Sequence, residues 1–99
     1  TKDSLNIILK ATQNHRIPTF CTSGAIVKGG ALISISPDYP YTGDQAAKLA
    51  QTLLSNPTQT SLGIQQPDKL RILLNTQTAK TIGINLSSFQ SRTNVTFYP

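Results

Sequence analysis

Gly29-Gly30-Ala31-Leu32-Ile33-Ser34-Ile35-Ser36-Pro37-Asp38-Tyr39 is the stretch on which the reading of this chain turns. Ala31 to Ile35 reads as a strand, in which Leu32, Ile33 and Ile35 form a nearly continuous apolar run, as expected of a strand covered on both faces. The run stops at Ser36-Pro37-Asp38, and Gly43 then opens a helix of small residues. A strand that ends in a polar turn and feeds a helix is the βα junction of α/β proteins. Such junctions make up the carboxyl edge of the sheet, where ligands bind.

Working outward, the helix that follows is predicted from about Tyr39 or Thr42 to Ser55. Ala46, Leu49, Ala50, Leu53 and Leu54 form its apolar stripe. Thr42 and Gln45 fit a capping box, while Asp38 with Pro40 supports the earlier start. Asn56-Pro57 stops it. Leu62 and Ile64 alternate with polar neighbours as a short strand, and Gln66-Pro67-Asp68-Lys69 reads as a turn. Leu70 to Leu74 is a further strand. Asn75 caps a short helix, Thr76 to Ile82, whose left-handed end is Gly83. Ser87 to Arg92 suits a last helical turn, and Val95 to Tyr98 a final strand or a loose tail. Upstream, Asp3 caps a helix carrying Leu5, Ile8 and Leu9 and running to about Asn14. Ile17 to Cys21 is a strand, Thr22-Ser23-Gly24 a turn, and Ala25 to Lys28 a helical turn broken by Gly29-Gly30. This alternation predicts an α/β fold with a mainly parallel sheet flanked by helices.

Composition narrows the chemistry. The 99 residues suit one small domain, and the first residue, Thr1, is the start expected of a processed or trimmed chain. Nine Lys/Arg stand against four Asp and no Glu, for a net charge of +5. The cations are Lys2, Lys10, Arg16, Lys28, Lys48, Lys69, Arg71, Lys80 and Arg92, spread singly along the chain rather than clustered as a nucleic-acid surface requires. No apolar run reaches the roughly 20 residues of a membrane span. Cys21 is alone, so no intrachain disulfide forms. With one His, one Cys and no Glu there is no metal set at recognised spacing, and no cofactor motif occurs. Of the four carboxylates only Asp38 and Asp44 are close in sequence, and both sit at a helix start, where capping explains them. His15 falls at a helix end, and Cys21 reads as a structural thiol. No catalytic residue is predicted.

A binding role fits better. Two strands end in polar loops of small residues, one at Thr22-Ser23 and one at Ser36-Pro37-Asp38-Tyr39. Hydroxyls, free N–H groups and one carboxylate at sheet ends can hold a small polar ligand. Asp38 would accept from an ammonium group, and Tyr39 or Tyr41 would cover an apolar moiety. The candidate ligand residues are therefore Asp38, Tyr39, Ser36, Thr22 and Ser23. The same residues also have plain roles as helix cap and strand-edge residues.

The order Ile17-Pro18-Thr19-Phe20, Val27-Lys28-Gly29-Gly30-Ala31-Leu32-Ile33-Ser34, Asp38-Tyr39 and Gly43 resembles the substrate-binding components of ABC-type transporters of the tryptophan/tyrosine-type group. Leu74-Asn75 and Ala79-Lys80-Thr81-Ile82-Gly83-Ile84 continue the resemblance, which runs from about Asn14 to Ser91. Asn56 stands where that group closes its central helix with Gly. Ser87 replaces an expected Pro, and Thr93 lies where an Ala is usual; these are marks of a divergent member.

The resemblance implies a type I periplasmic-binding-protein fold of two α/β lobes closing on a ligand, of which this chain is the C-terminal portion. Residues 1–28 and about 60–99 would belong to the C-terminal lobe, and 30–56 would be a hinge-crossing strand plus helix. It further implies a non-enzymatic, periplasmic or extracytoplasmic protein, with an amino-acid-like solute and a membrane permease as partners. A piece spanning two lobes exposes apolar faces and sheet edges, so either helix 42–55 packs back on the local sheet as a compact four-strand unit or two chains pair. Self-association as a dimer, with or without exchange of that helix, is expected. The alternatives are a basic nucleic-acid-binding domain, marked by steep salt dependence, and a ligand-sensing regulatory lobe on the same fold.

Overall fold

Helix α1 spans Lys2–Asn14, and the computed structural model describes residues 1–56, 58 and 62–99. The α1 cap is Thr1, whose hydroxyl accepts from Ser4 N at 3.3 Å; Asp3, the expected cap, sits inside the first turn, where its charge suits the helix dipole. Arg16 takes a left-handed φ of 56° as the chain leaves α1. That exit and the bond from Ile17 N to Thr12 O delay the first strand, so β1 is only Phe20–Cys21. Helix α2 spans Gly24–Lys28.

Strand β2 is Ile33–Pro37, two residues later than the apolar run suggests. Ala31 N and Leu32 N are already taken, by Ile26 O and the Thr19 hydroxyl, and so cannot join a ladder. Helix α3 runs Tyr39–Ser55 from the cap Asp38, β3 is Leu70–Asn75, and α4 is Thr76–Ile82. Asn75 caps α4, and Gly83 ends it at φ 81°, as its sequence predicts. A 3-10 turn at Ser87–Phe89 and strand β4, Val95–Tyr98, complete the chain. Leu62 and Ile64 form no strand, Ile64 being 94% exposed, and 66–69 forms no turn. Pro57, read as part of the stop of α3, lies outside the described residues, as do Gln59, Thr60 and Ser61.

The sheet order is β1-β2-β3-β4. β1 and β2 pair parallel, Phe20 opposite Ile33, and β3 and β4 pair parallel, Ile72 opposite Val95. Asn75 N donates to Leu32 O at 2.8 Å, and Asp38 N donates to Lys69 O at 2.9 Å. Both bonds share the register of an antiparallel pair, so β2 and β3 run in opposite directions. The fold is thus α/β, with a mainly parallel four-stranded sheet flanked by helices.

The chain divides into two units, residues 1–36 with 71–99, and residues 37–70. The core of the first unit has two parts. Leu32, Ile33, Leu74, Ala79 and Ile82 pack together under α4, and Leu9, Val27 and Ala31 pack where α1 meets α2. Each large aliphatic side chain buried there contributes about 1.5–3 kcal/mol. The second unit has α3 with no buried residue, so the apolar stripe of Ala46, Leu49, Ala50, Leu53 and Leu54 is not a core here. Its returning segment is tied to the helix by Gln45, which donates to Gln66 O at 3.0 Å and accepts from Asp68 N at 3.4 Å.

Candidate functional site

The first unit offers a polar edge where β1 and β2 end. The parallel register sets Cys21 opposite Ser34, so Thr22 and Ser23 leave β1 at the level where β2 reaches Ile35 and Ser36. Thr22 is exposed; Ser23 and Ser36 are half-buried. Ser23 starts α2 with extended backbone, and its hydroxyl makes no capping bond. Beneath this edge the Cys21 thiol donates to Ser23 O and Ile33 O, both at 3.4 Å, which gives it the structural role its sequence position suggests. Ser34 is buried inside the sheet at 1% exposure and belongs to the frame rather than to the edge.

Because β2 leaves and β3 returns antiparallel, the chain exits the first unit at Ser36–Pro37 and re-enters at Leu70–Arg71 on this same end. Asp38 and Tyr39 follow Ser36 in the chain and belong to the second unit. Asp38 is half-buried, and its Oδ1 accepts from Tyr41 N at 3.2 Å as the cap of α3. Tyr39 is 69% exposed. The Asp38 start wins over the Thr42 box because Gln45 is engaged with residues 66 and 68, while the Thr42 hydroxyl is buried with no partner among the described residues. Thr42 also lines a cavity of about 210 Å³ in the second unit, with Gln45, Ala46, Leu49 and residues 65–67.

At the opposite end of the first unit lies a buried polar cluster whose full extent local sequence does not show. Asn75 Nδ2 donates to Val27 O at 2.8 Å, and its Oδ1 accepts from Thr78 N at 2.9 Å. Gly30 O accepts from Thr78 Oγ1 at 2.9 Å and Gln13 Nε2 at 3.0 Å. The cap of α4 was readable from Asn75; its second bond, to a carbonyl 48 residues away, had no local signal. This cluster ties α1, α2 and α4 to the sheet. Among the described residues no group of three His, Cys, Asp or Glu side chains meets to hold a metal ion. No helix among them is long and apolar enough to cross a membrane.

A family model for ABC transporter substrate-binding proteins matches residues 2–92. The chain belongs to that family. A solved substrate-binding protein with adhesive properties from Clostridium difficile, in its ligand-free open form, superposes with a TM-score of 0.77 at 20% identity. The match covers 97% of this chain and 32% of that one, so this member of the family spans about a third of the length of its solved neighbour and shares its fold. No curated protein matches the sequence.

Proposed function

We propose that this chain captures a small amino-acid-like solute and takes no part in bond-making chemistry. In this reading it has the type I periplasmic-binding-protein architecture of the tryptophan/tyrosine-type group. Residues 1–28 and about 60–99 serve as the C-terminal-lobe portion, and 30–56 as a hinge-crossing strand plus helix. The partner is the membrane permease of an ABC transporter, and the location is periplasmic or extracytoplasmic. One observation carries the reading: the polar edge of Thr22, Ser23 and Ser36 coincides with the end of the first unit where the chain leaves and returns. Carboxyl edges of α/β sheets are where small ligands are held.

The residues assigned to ligand binding are Asp38, suited to an ammonium group, Tyr39, suited to an apolar moiety, and Ser36, Thr22 and Ser23, suited to polar groups. The test is titration of free amino acids into the intact protein by calorimetry. Asp38→Asn keeps a capping oxygen and removes the charge, so it weakens binding about tenfold or more while the unfolding midpoint holds. Binding by no amino acid, or affinity unchanged in Asp38→Asn, Thr22→Val and Ser36→Ala alike, overturns the assignment. By itself the chain pairs with a second copy through the uncovered stripe of α3, a reading supported by Leu54 at 83% exposure.

A further inference from the structure

Cations that look scattered along the sequence are sorted by the fold. The first unit, residues 1–36 and 71–99, holds seven of the nine basic residues against the single acid Asp3, a net charge of +6. The second unit holds Lys48 and Lys69 against Asp38, Asp44 and Asp68, a net charge of −1. Within the first unit, α1 and α4 lie side by side, since the one Gly30 carbonyl accepts from Gln13 of α1 and from Thr78 of α4. Their exposed residues include Lys2, Lys10 and Lys80. The same helix α1 carries Ile7 at 70% and Ile8 at 55% exposure. Leu5 and Leu9 already supply its core contacts, so neither isoleucine is needed for packing.

We propose that the first unit docks on anionic phospholipid bilayers, with α1 as the contacting helix. Lysines are drawn to the headgroup phosphates, and exposed aliphatic side chains on the same helix gain by entering the headgroup–acyl boundary. A nucleic-acid surface would instead present stacking aromatics or arginines, and α1 carries neither. The chemistry recognised is a surface of phosphate monoanions beside hydrocarbon. The inference stands apart from solute capture and draws on none of the residues assigned to it.

The test is co-sedimentation of the chain with vesicles of equimolar phosphatidylglycerol and phosphatidylcholine, against vesicles of phosphatidylcholine alone. Retention on the anionic vesicles is at least about tenfold stronger at about 0.05 M salt and is lost at about 0.5 M. Lys10→Glu lowers it about fivefold or more, whereas Lys48→Glu, the same change in the second unit, leaves it within about twofold. Ile7→Ser with Ile8→Ser, both at exposed positions and so fold-neutral by circular dichroism, lowers it about fivefold. Equal retention on neutral vesicles, equal damage from Lys48→Glu, or no retention at all overturns the proposal. Tighter binding to a DNA duplex, unmoved by the isoleucine changes, overturns it in favour of nucleic acid.

Discussion

Asn75 shows how one side chain can hold distant parts of the chain together. It is 5% exposed, and both ends of its amide are spent, on Val27 O and on Thr78 N. Asn75→Ala strands a buried carbonyl and uncaps α4, so it costs about 2–4 kcal/mol, read as a lower urea midpoint with unchanged slope. Gly30 is the second such position. Its φ of 127° is open to glycine alone, and an added Cβ would lie 2.8 Å from Gln13 Nε2. The Gln13 amide sits at the end of a flexible side chain and can move, so backbone strain decides the outcome. Gly30→Ala is destabilising by about 1–3 kcal/mol in thermal unfolding. At this scale the sequence was legible where chemistry is local. Asn75 as a cap and Gly83 as a left-handed end follow from neighbours within a few residues. The start of α3, by contrast, was open between Asp38 and Thr42 and is decided by the distant bonds of Gln45 to Gln66 and Asp68. Thr1 displaced Asp3 because either can cap a helix start, and nothing local decides between them.

Elements were legible in kind but not in partner. The period of Ala46, Leu49, Ala50, Leu53 and Leu54 is helical, and α3 is a helix; yet none of the stripe is buried, because a period names a face and not what lies against it. Leu62 and Ile64 alternate like a strand, but no strand among the described residues pairs with them, and alternation without a ladder makes no strand. The opposed run of β2 and β3 was equally invisible, since it depends on where the chain returns after α3. Gln45 supplies the clearest element-level consequence. Its amide bonds α3 to the returning segment through Gln66 O and Asp68 N, and the ammonium of the next residue, Lys69, lies 5.0 Å from the centre of the Tyr41 ring. Gln45→Ala therefore loosens 65–68, while α3 persists and Lys69 stays held by Asp38 N and the Tyr41 ring. Amide exchange of those residues accelerates, and helical ellipticity falls by no more than a few per cent. Equal acceleration across α3 would show that the segment and the helix open together.

For the whole molecule, the candidate edge was readable only as two polar loops; the pairing of β1 with β2 is what brings Thr22, Ser23 and Ser36 to one level. The same fold leaves the stripe of α3 exposed beyond Leu49, the part that residues 65–67 do not face. Its stripe ends at Leu54, 83% exposed, and Leu53 is 39% exposed. Apolar area of this kind is removed from water when two copies meet, and association then adds to apparent stability by mass action. The unfolding temperature of the chain should therefore rise with protein concentration, by a few degrees per tenfold. Sedimentation equilibrium should show a dimer at high concentration. Leu54→Glu places a charge in that face without disturbing a packed core, since the side chain it replaces touches mostly solvent. The variant should sediment as a monomer and unfold at a temperature independent of concentration, within about 0.5 kcal/mol of the wild-type monomer. A wild-type chain that stays monomeric at the highest concentrations, or a Leu54→Glu dimer as tight as the wild type, would remove α3 from the interface.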